Sequence, residues 1–328
     1  KKQLVNFMIG FAAMLVFMVV DYKVFKFLIK YVYAANLVLL IMIFAAGKTR
    51  GIAGWFKLDF IDRALQPGEL CKISIIVTLS KYVSDCMDKE GKFRGLGYII
   101  KTTMYCAVPT VLVMMQPDFG TAFVFICIMV FIYFIGRISW GYILTAAGGL
   151  AACMPLAYYF VLSDSQRERI DVFINPESDL QNSGYNVAQS KIAIGSGQLT
   201  GKGFFSEGTL AQLRFVPERH TDFIFAGIVE GLGFVGGTII ICLFFALIFR
   251  WIYIAMRTKD SFGTCLVVGV AGMFTAHVFE NIGMTIGLMP VTGIPLPFIS
   301  YGGSNLLTNL IGVGIVENVW MRRQSKKR

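Results

Sequence analysis

Residues 223–249 read FIFAGIVEGLGFVGGTIIICLFFALIF, an apolar run in which Glu230 is the single charge. A helix needs roughly 17–25 mostly apolar residues to cross the hydrocarbon core of a bilayer, which is about 30 Å thick. This run is therefore long enough to span a membrane as one helix. A carboxylate inside such a run is costly, which makes Glu230 a candidate functional residue.

Eight other stretches of the same character flank this run. They lie at residues 4–20, 31–47, 68–84, 98–117, 119–136, 138–162, 262–288 and 302–320. The chain of 328 residues is 56% hydrophobic and only 15% charged, whereas a soluble domain has about 25% charged residues. The composition excludes a disordered chain, and it predicts an all-α polytopic integral membrane protein with nine spans.

Basic residues set the orientation of the spans. If the spans alternate, 17 of the 30 Lys and Arg residues fall on one side, and five of these 17 lie in the basic tail 321–328. That side is predicted to be cytoplasmic. The net charge of +10 indicates attraction to an anionic lipid bilayer, and no basic stripe interleaved with aromatic residues points to nucleic acid. Because nine spans would leave Lys1 outside, we expect a tenth, N-terminal helix in the native chain.

The organisation predicted is one transmembrane domain over residues 1–328, with a large extracytoplasmic loop at 163–222. The loop is 60 residues long, far beyond an ordinary connection, and such loops are usually functional or disordered. Its many apolar residues argue against disorder and favour a folded exterior cap. A short amphipathic helix over residues 185–194, lying in the membrane interface, is expected within it.

The cap ends in PERHTD at residues 217–222, and two interpretations of these residues stay open. In the first, Thr221 or Asp222 caps the following helix, where a carboxylate also suits the positive end of the helix dipole. In the second, Asp222 is a functional carboxylate fixed at the membrane surface beside Arg219 and His220. The two interpretations are compatible.

Three more acidic positions carry similar alternatives. Glu69 and Lys72 are three residues apart at the start of a helix, so an ion pair is expected, and such a pair faces the protein interior more readily than lipid. Asp118 is interpreted as the cap of the next helix. Glu230 is either a functional carboxylate or a buried structural acceptor.

Residues 281–316 contain no charge and are too many for one helix. Three prolines and three glycines between positions 290 and 303 force an irregular backbone, which is tolerated at membrane depth only beside protein or a watery cavity. We therefore predict that residues 290–304, with Ser300 and Tyr301, form the wall of a pocket. The seven Cys form no CxxC pair and the two His are far apart, so no His- or Cys-based metal site is expected.

Six short motifs follow one another along the chain. They are Gln66-Pro67 with Glu69 and Lys72, QPDFGTA at 116–122, GYN at 184–186 with Gln189-Ser190, PERHTDFIFA at 217–226, NIGM at 281–284 and GIPLPFISYGGS at 293–304. Together they resemble the SEDS family (shape, elongation, division, sporulation), and in particular its RodA branch.

The resemblance implies a SEDS-type helical bundle of ten helices in the bacterial cytoplasmic membrane. It implies a peptidoglycan glycosyltransferase that polymerises lipid II into glycan strands at the outer face and releases undecaprenyl diphosphate, for cell elongation and shape. A class B penicillin-binding protein is the implied transpeptidase partner. The motif match carries the family's essential carboxylate onto Asp222, and its sensitive acid and base beside the lipid-facing groove onto Glu69 and Lys72.

The chain departs from the family pattern at three places: Gly54-Trp55 where Arg usually precedes Trp, Gly68 where Ser is usual, and Glu230-Gly231 where paired Glu is commoner. Residues other than Asp222 that are predicted to bind substrate share an exterior or groove position in this scheme. They are Trp55, Glu69, Lys72, Asp118, Lys191, Lys202, Arg214, Arg219, His220, Glu230, Ser300 and Tyr301.

The mechanistic hypothesis makes Asp222 the general base for the acceptor sugar's 4-hydroxyl. The diphosphate leaving group needs charge stabilisation, for which Lys72, Lys191, Lys202, Arg214 and Arg219 are candidates. A divalent cation, Mg²⁺ or Mn²⁺, could share that task. Asp222 can act as a base only in a dry site, since burial favours the protonated acid; in a wet site it would orient the sugar or hold a cation.

Two other functions are compatible with the same residues. A flippase for the lipid-linked precursor would use Glu230 and the Glu69–Lys72 pair along a transport path, because broken helices and central carboxylates are also typical of transporters. The absence of a convincing internal repeat counts against it. A non-catalytic scaffold for the penicillin-binding protein is the third possibility.

Overall fold

The computed structural model describes residues 2–45, 56–58, 63–160, 162, 164–175, 183–203 and 220–323. Within these ranges the chain is almost entirely helical, which confirms the predicted all-α class. The helices are α1 (Lys2–Val19), α2 (Phe25–Ala45), α3 (Pro67–Glu90), α4 (Leu96–Met114), α5 (Phe119–Ile135), α6 (Trp140–Phe160), α7 (Asp164–Ile174), α8 (Ser183–Ser196), α9 (Ile224–Arg257), α10 (Ser261–Ile286) and α11 (Gly303–Arg322).

Two smaller elements complete the described parts of the chain. A single 3₁₀ turn, Tyr22–Val24, separates α1 from α2. Two short antiparallel strands, β1 (Phe56–Leu58) and β2 (Arg63–Leu65), pair Phe56 with Leu65 and precede α3. The amino-acid sequence carries no signal for this hairpin, because three-residue strands are too short to show an alternating pattern.

Each of the nine predicted spans coincides with a helix. Five helical stretches of the described chain are long and apolar enough to cross a membrane, and α5 is a shorter apolar helix. α3 is more polar, as expected from Lys72 and Lys81. The protein is thus an integral membrane protein. The helix predicted at 185–194 is present as α8, and α7 precedes it in the described part of the segment 163–222.

The chain divides into two compact units. The first contains residues 1–143, 248–276 and 302–328. In this unit α3 is buried along most of its length, between α2, α4, α5 and α11. α1 packs along α11, where Gly10 lies against Leu310 and Gly314 lies against Met14 and Phe17. Glycines at these crossings let the two helix backbones approach closely.

The second unit contains residues 144–247 and 277–301. Its main departure from expectation is in α9, which the sequence predicted as a regular span over 223–249. Gly233 has φ 72° and ψ −171°, so two helices join there across a kink. This backbone conformation is open to glycine and closed to most other residues, and the run of apolar letters around it gives no hint of the break.

A loop at residues 197–203 fills the break in α9. The Phe234 amide donates to Gln198 O at 2.7 Å, and the Lys202 amide donates to Glu230 O at 2.9 Å. Two similar bonds join Val235 to Leu199 and Gly203 to Gly231. Broken helices are stable in a membrane protein when other groups satisfy the freed backbone, and here the loop supplies those groups.

The break generates a stability prediction. Gly201 has φ 80°, and a Cβ at this position would overlap the carbonyl oxygen of Gly231. Gly201→Ala should therefore lower the free energy of unfolding by at least about 1–2 kcal/mol, the cost of a left-handed backbone in an L-residue alone. Thermal unfolding of the purified protein measures the effect.

Gly195→Ala is the matched control. Gly195 lies in α8 with nothing within 4 Å of its added Cβ, so alanine there should be neutral or stabilising by up to about 1 kcal/mol. Equal unfolding temperatures for the two variants would contradict the assigned packing of the loop against α9.

Candidate active site

The residues before α9 form a turn whose carbonyl groups are tied to the irregular segment 287–301. The Tyr301 amide donates to His220 O at 2.8 Å. The Ser300 hydroxyl donates to Thr221 O at 2.6 Å and accepts from the Leu296 amide at 2.8 Å. Ser300 therefore serves two backbone groups at once, and its burial keeps water from replacing either bond.

Asn281 of α10 holds the next residue of the same turn. Its Nδ2 donates to Asp222 O at 2.8 Å and to Ile294 O at 2.7 Å. Three consecutive carbonyls, at 220, 221 and 222, are thus bonded to Tyr301, Ser300 and Asn281. We call this set of bonds the brace.

The brace places the Asp222 carboxylate beside Gly293. Oδ2 of Asp222 lies 3.3 Å from the position that a Cβ on Gly293 would occupy. Gly293 is exposed and has φ 77°, and Asp222 is half-buried. The carboxylate therefore lies at an accessible place, two residues before the first turn of α9, where the helix dipole favours negative charge.

An apolar cluster closes one side of this turn. Phe223 is buried with Val187 and Ala193 of α8 and Ala226 of α9, and Val291 packs against them. Helix α8 therefore packs directly against the residue after Asp222. This supports the predicted folded cap, since burial of one aromatic side chain contributes about 1.5–3 kcal/mol.

Glu230 is engaged inside the same unit. It is 1% exposed, with Oε1 3.9 Å from Lys202 Nζ and 3.5 Å from Ser196 Oγ. Its own carbonyl accepts from the Lys202 amide. Of the two interpretations given above, these contacts favour the structural acceptor, which holds the loop 197–203 in the break of α9. Lys202 is 42% exposed and still reaches the surface.

Glu69 and Lys72 lie in the first unit and form the expected ion pair. Lys72 Nζ is 2.7 Å from Glu69 Oε1, and the side chains are 0% and 2% exposed. Glu69 Oε2 is buried without a hydrogen-bond partner among the described residues. Both charges are therefore enclosed by protein and separated from bulk water.

Asp118 caps the N-terminus of α5, which confirms its interpretation as a helix cap. Its carboxylate accepts from the Thr121 amide at 3.0 Å and from the Thr121 hydroxyl at 2.9 Å. Gln66 Nε2 also donates to it at 2.9 Å, and the Gln66 amide donates to Ser304 Oγ at 3.1 Å. Asp118 thereby joins the starts of α3 and α5.

The remaining predicted residues are distributed as follows. Lys191 is exposed on α8, and its ammonium end lies beside Gly287. His220 and Tyr301 are also exposed, whereas Ser300 is buried. Trp55, Arg214 and Arg219 lie outside the described residues. The described chain contains no group of three or more His, Cys, Asp and Glu side chains.

Two buried residues of α10 were not assigned a role from the sequence. Asn281 appeared only within a family motif, although it holds the Asp222 backbone. Glu280 was passed over, although it is fully buried. The rule that selected Glu230, a carboxylate inside an apolar run, also applies to Glu280. The role of Asn281 had no sequence signal, because its partners are 13 and 59 residues away.

Comparisons with known proteins identify the family of this chain. The described fold is that of a helical integral membrane protein. A family model, FtsW/RodA/SpoVE, described as "Cell cycle protein", matches residues 1–325. The chain therefore belongs to the FtsW/RodA/SpoVE family, which confirms the resemblance drawn from the motifs.

Relatives and solved structures are similar along the whole chain. The peptidoglycan glycosyltransferase MrdB of Escherichia coli K12 is 37% identical over 317 residues, covering 96% of this chain and 84% of the relative. A chain of a peptidoglycan synthase complex, studied for its coordination of polymerization and crosslinking, superposes with a TM-score of 0.82 at 26% identity, covering 99% and 90%. The rod shape determining protein RodA of Thermus thermophilus superposes with a TM-score of 0.71 at 25% identity, and the match covers 99% of this chain and 88% of that protein's chain.

The buried ion pair generates the second prediction. Lys72→Met leaves Glu69 charged and buried without its partner, which should lower the free energy of unfolding by about 3–5 kcal/mol. The double variant Glu69→Leu, Lys72→Met should recover most of that loss, since two apolar side chains leave no charge to be solvated. Thermal or denaturant unfolding in one detergent compares them.

Arg94→Gln is the control for this pair. Arg94 and Glu90 form an ion pair at 2.9 Å whose side chains are 60% and 34% exposed, and such pairs contribute about 0–1 kcal/mol. A Lys72→Met variant no less stable than Arg94→Gln would show that Lys72 is not needed to neutralise Glu69.

Proposed function

We propose that this protein is a peptidoglycan glycosyltransferase that polymerises lipid II and uses Asp222 as its catalytic base. The observation that supports this most is the brace, which holds an accessible carboxylate beside the exposed Gly293. The family relatives support the same activity, because the relative from E. coli is named a peptidoglycan glycosyltransferase. Polymerisation releases undecaprenyl diphosphate and extends the glycan strand by one disaccharide unit.

The reaction assigned to Asp222 is one proton transfer. Its carboxylate accepts the proton of the acceptor sugar's 4-hydroxyl as that oxygen attacks the anomeric carbon of the growing chain. The bond from that carbon to the diphosphate oxygen breaks, and the diphosphate leaves with the bonding electrons. A positioned base typically contributes 10²–10⁴-fold to such a rate, and the hydrogen bonds of the brace fix the backbone that carries this base.

The surroundings of Asp222 suit a polar substrate on one side only. The apolar cluster around Phe223 closes the side toward α8, whereas the exposed Gly293 presents no side chain to Oδ2. A sugar placed over Gly293 would displace water from the half-exposed carboxylate. Removal of water strengthens electrostatic interactions in the site, so base catalysis would begin only once substrate covers the turn.

The proposed setting is the outer face of the bacterial cytoplasmic membrane, with the C-terminus inside. Support comes from basic and aromatic residues near the end of α11 in the first unit. The Arg323 guanidinium lies 3.0 Å from the Trp320 ring centre, and Arg250 lies 4.8 Å from it. Basic side chains and aromatic rings together are typical of the cytoplasmic membrane interface.

The proposed partner is a class B penicillin-binding protein that crosslinks the strands, in the service of cell elongation and shape. It rests on the structural similarity to a chain of a peptidoglycan synthase complex. The alternative of a lipid II flippase lacks such support. Glu230, which that function would place in a transport path, contacts Ser196 and Lys202.

The activity is tested by lipid II polymerisation with purified protein, with and without the partner and with Mg²⁺, Mn²⁺ or chelator. Asp222→Asn keeps the size and polarity of the side chain but removes its basicity, so we expect a loss of at least about 100-fold. Asp222→Ala should lose as much. Gel separation of the glycan products measures chain length and rate.

Glu168→Gln is the control, because Glu168 is an exposed carboxylate of the exterior helix α7 and should keep the wild-type rate. Near-normal polymerisation by Asp222→Asn would remove the base role and leave Asp222 to orient the sugar. Unchanged lipid II moved across a vesicle bilayer, with no longer product, would instead establish the flippase.

A further inference from the structure

A cleft in the second unit has the composition of a site for an amphiphilic anion. It is a shallow cleft, partly open to the surface, and it is lined by α7, α8 and the segment after α10. Two of its lining residues are cationic, Arg169 of α7 and Lys191 of α8. Every other lining residue is apolar or glycine, among them Phe173, Val187 and Val291.

The two cations are available to a ligand. Among the described residues, neither Arg169 nor Lys191 is within ion-pair distance of a carboxylate. The nearby acid Asp171 accepts a hydrogen bond from the Tyr158 hydroxyl at 2.7 Å and does not line the cleft. The Lys191 ammonium lies beside Gly287, where any larger residue would displace it.

The chemistry of the lining selects the ligand. An arginine offers a planar fork that binds phosphate oxygens in pairs, and a lysine adds a point charge. A sugar would need acceptors and neutral donors, which this lining does not supply. The apolar residues suit a hydrocarbon chain, so the complementary molecule carries phosphate charge at one end and hydrocarbon at the other.

The cleft is adjacent to the braced turn. Val187 and Val291 line the cleft and also pack in the cluster with Phe223, the residue after Asp222. Val291 is two residues before Gly293, which lies against the Asp222 carboxylate. A group bound to Arg169 and Lys191 is therefore linked to the turn by packed side chains of the same unit.

We propose that Arg169 and Lys191 bind the diphosphate of an isoprenoid-linked substrate, with its first isoprene units along Phe173 and Val187. The proposal rests on the proposed function for the identity of the substrate. It adds Arg169, to which the sequence analysis gave no role, and it selects Lys191 from the five cations named as candidates. An anionic phospholipid shares the phosphate and hydrocarbon chemistry, so the experiment separates the two sources.

The test is direct binding to the full chain in lipid nanodiscs, followed by native mass spectrometry or thermophoresis. Undecaprenyl diphosphate is the probe, and undecaprenol, inorganic pyrophosphate and phosphatidylglycerol are comparison ligands. Arg169→Gln and Lys191→Gln should each weaken the binding of undecaprenyl diphosphate about tenfold, which equals about 1.4 kcal/mol of binding free energy. Phe173→Ala should weaken the binding of undecaprenyl diphosphate and leave the binding of pyrophosphate unchanged. Lys89→Gln, an exposed lysine of α3, is the charge-matched control and should bind like wild type.

Two results would overturn the proposal: wild-type affinity in both cation variants, or displacement of the probe by phosphatidylglycerol as readily as by undecaprenyl diphosphate itself. Polymerisation assays keep this failure separate from failure of the proposed function. The cation variants should raise KM and change kcat less, whereas Asp222→Asn lowers kcat. If Asp222→Asn is inactive while the cation variants bind normally, the activity stands and the cleft is not its diphosphate site.

Discussion

The site depends on one constraint: the backbone at residues 220–222 leaves helical geometry close to the membrane, where its carbonyls need partners. Three groups supply them, the Tyr301 amide, the Ser300 hydroxyl and the Asn281 amide side chain. Each bond joins the turn to the segment 287–301 or to the helix before it. Because buried polar groups are expensive to leave unpaired, the turn has few alternative positions. Because the backbone of this turn is fixed, the Asp222 side chain that it carries lies beside Gly293.

The same solution recurs at the break in α9. There the freed backbone groups bond to the loop 197–203, and Glu230 with Ser196 and Lys202 fastens that loop from the side. Glu230 and Asp222 therefore have different tasks although both are carboxylates of one apolar run and its edge. One is enclosed and holds backbone together, and the other is held by backbone and left accessible. The cationic cleft of Arg169 and Lys191 lies against the same turn, through Val187 and Val291.

Much of the fold could be predicted from the sequence, because apolar length and the positions of Lys and Arg are local signals. The helices at the nine predicted spans, helix α8, the irregular backbone around Ser300 and the cap at Asp118 were predicted correctly. The break at Gly233 was not, since glycine in an apolar run is compatible with a regular helix until the loop that fills the break is known. The roles of Asn281 and Arg169 also escaped prediction, because they arise from contacts between residues far apart in the chain. The predicted single domain and the tenth helix stay predictions.

The central claim is that the brace positions Asp222 and does not merely stabilise the unit. It is tested by measuring the lipid II polymerisation rate and the thermal midpoint together in Ser300→Ala and Asn281→Leu. A misplacement of about 1 Å can lower a catalytic rate about 100-fold. We therefore predict that each variant loses about 10- to 100-fold in polymerisation rate. Its substrate affinity should be nearly unchanged, and it should be obtained as folded protein at wild-type yield. Wild-type rates in both variants would contradict the account. So would a loss of rate that is fully restored at a lower temperature where the variants are as folded as wild type.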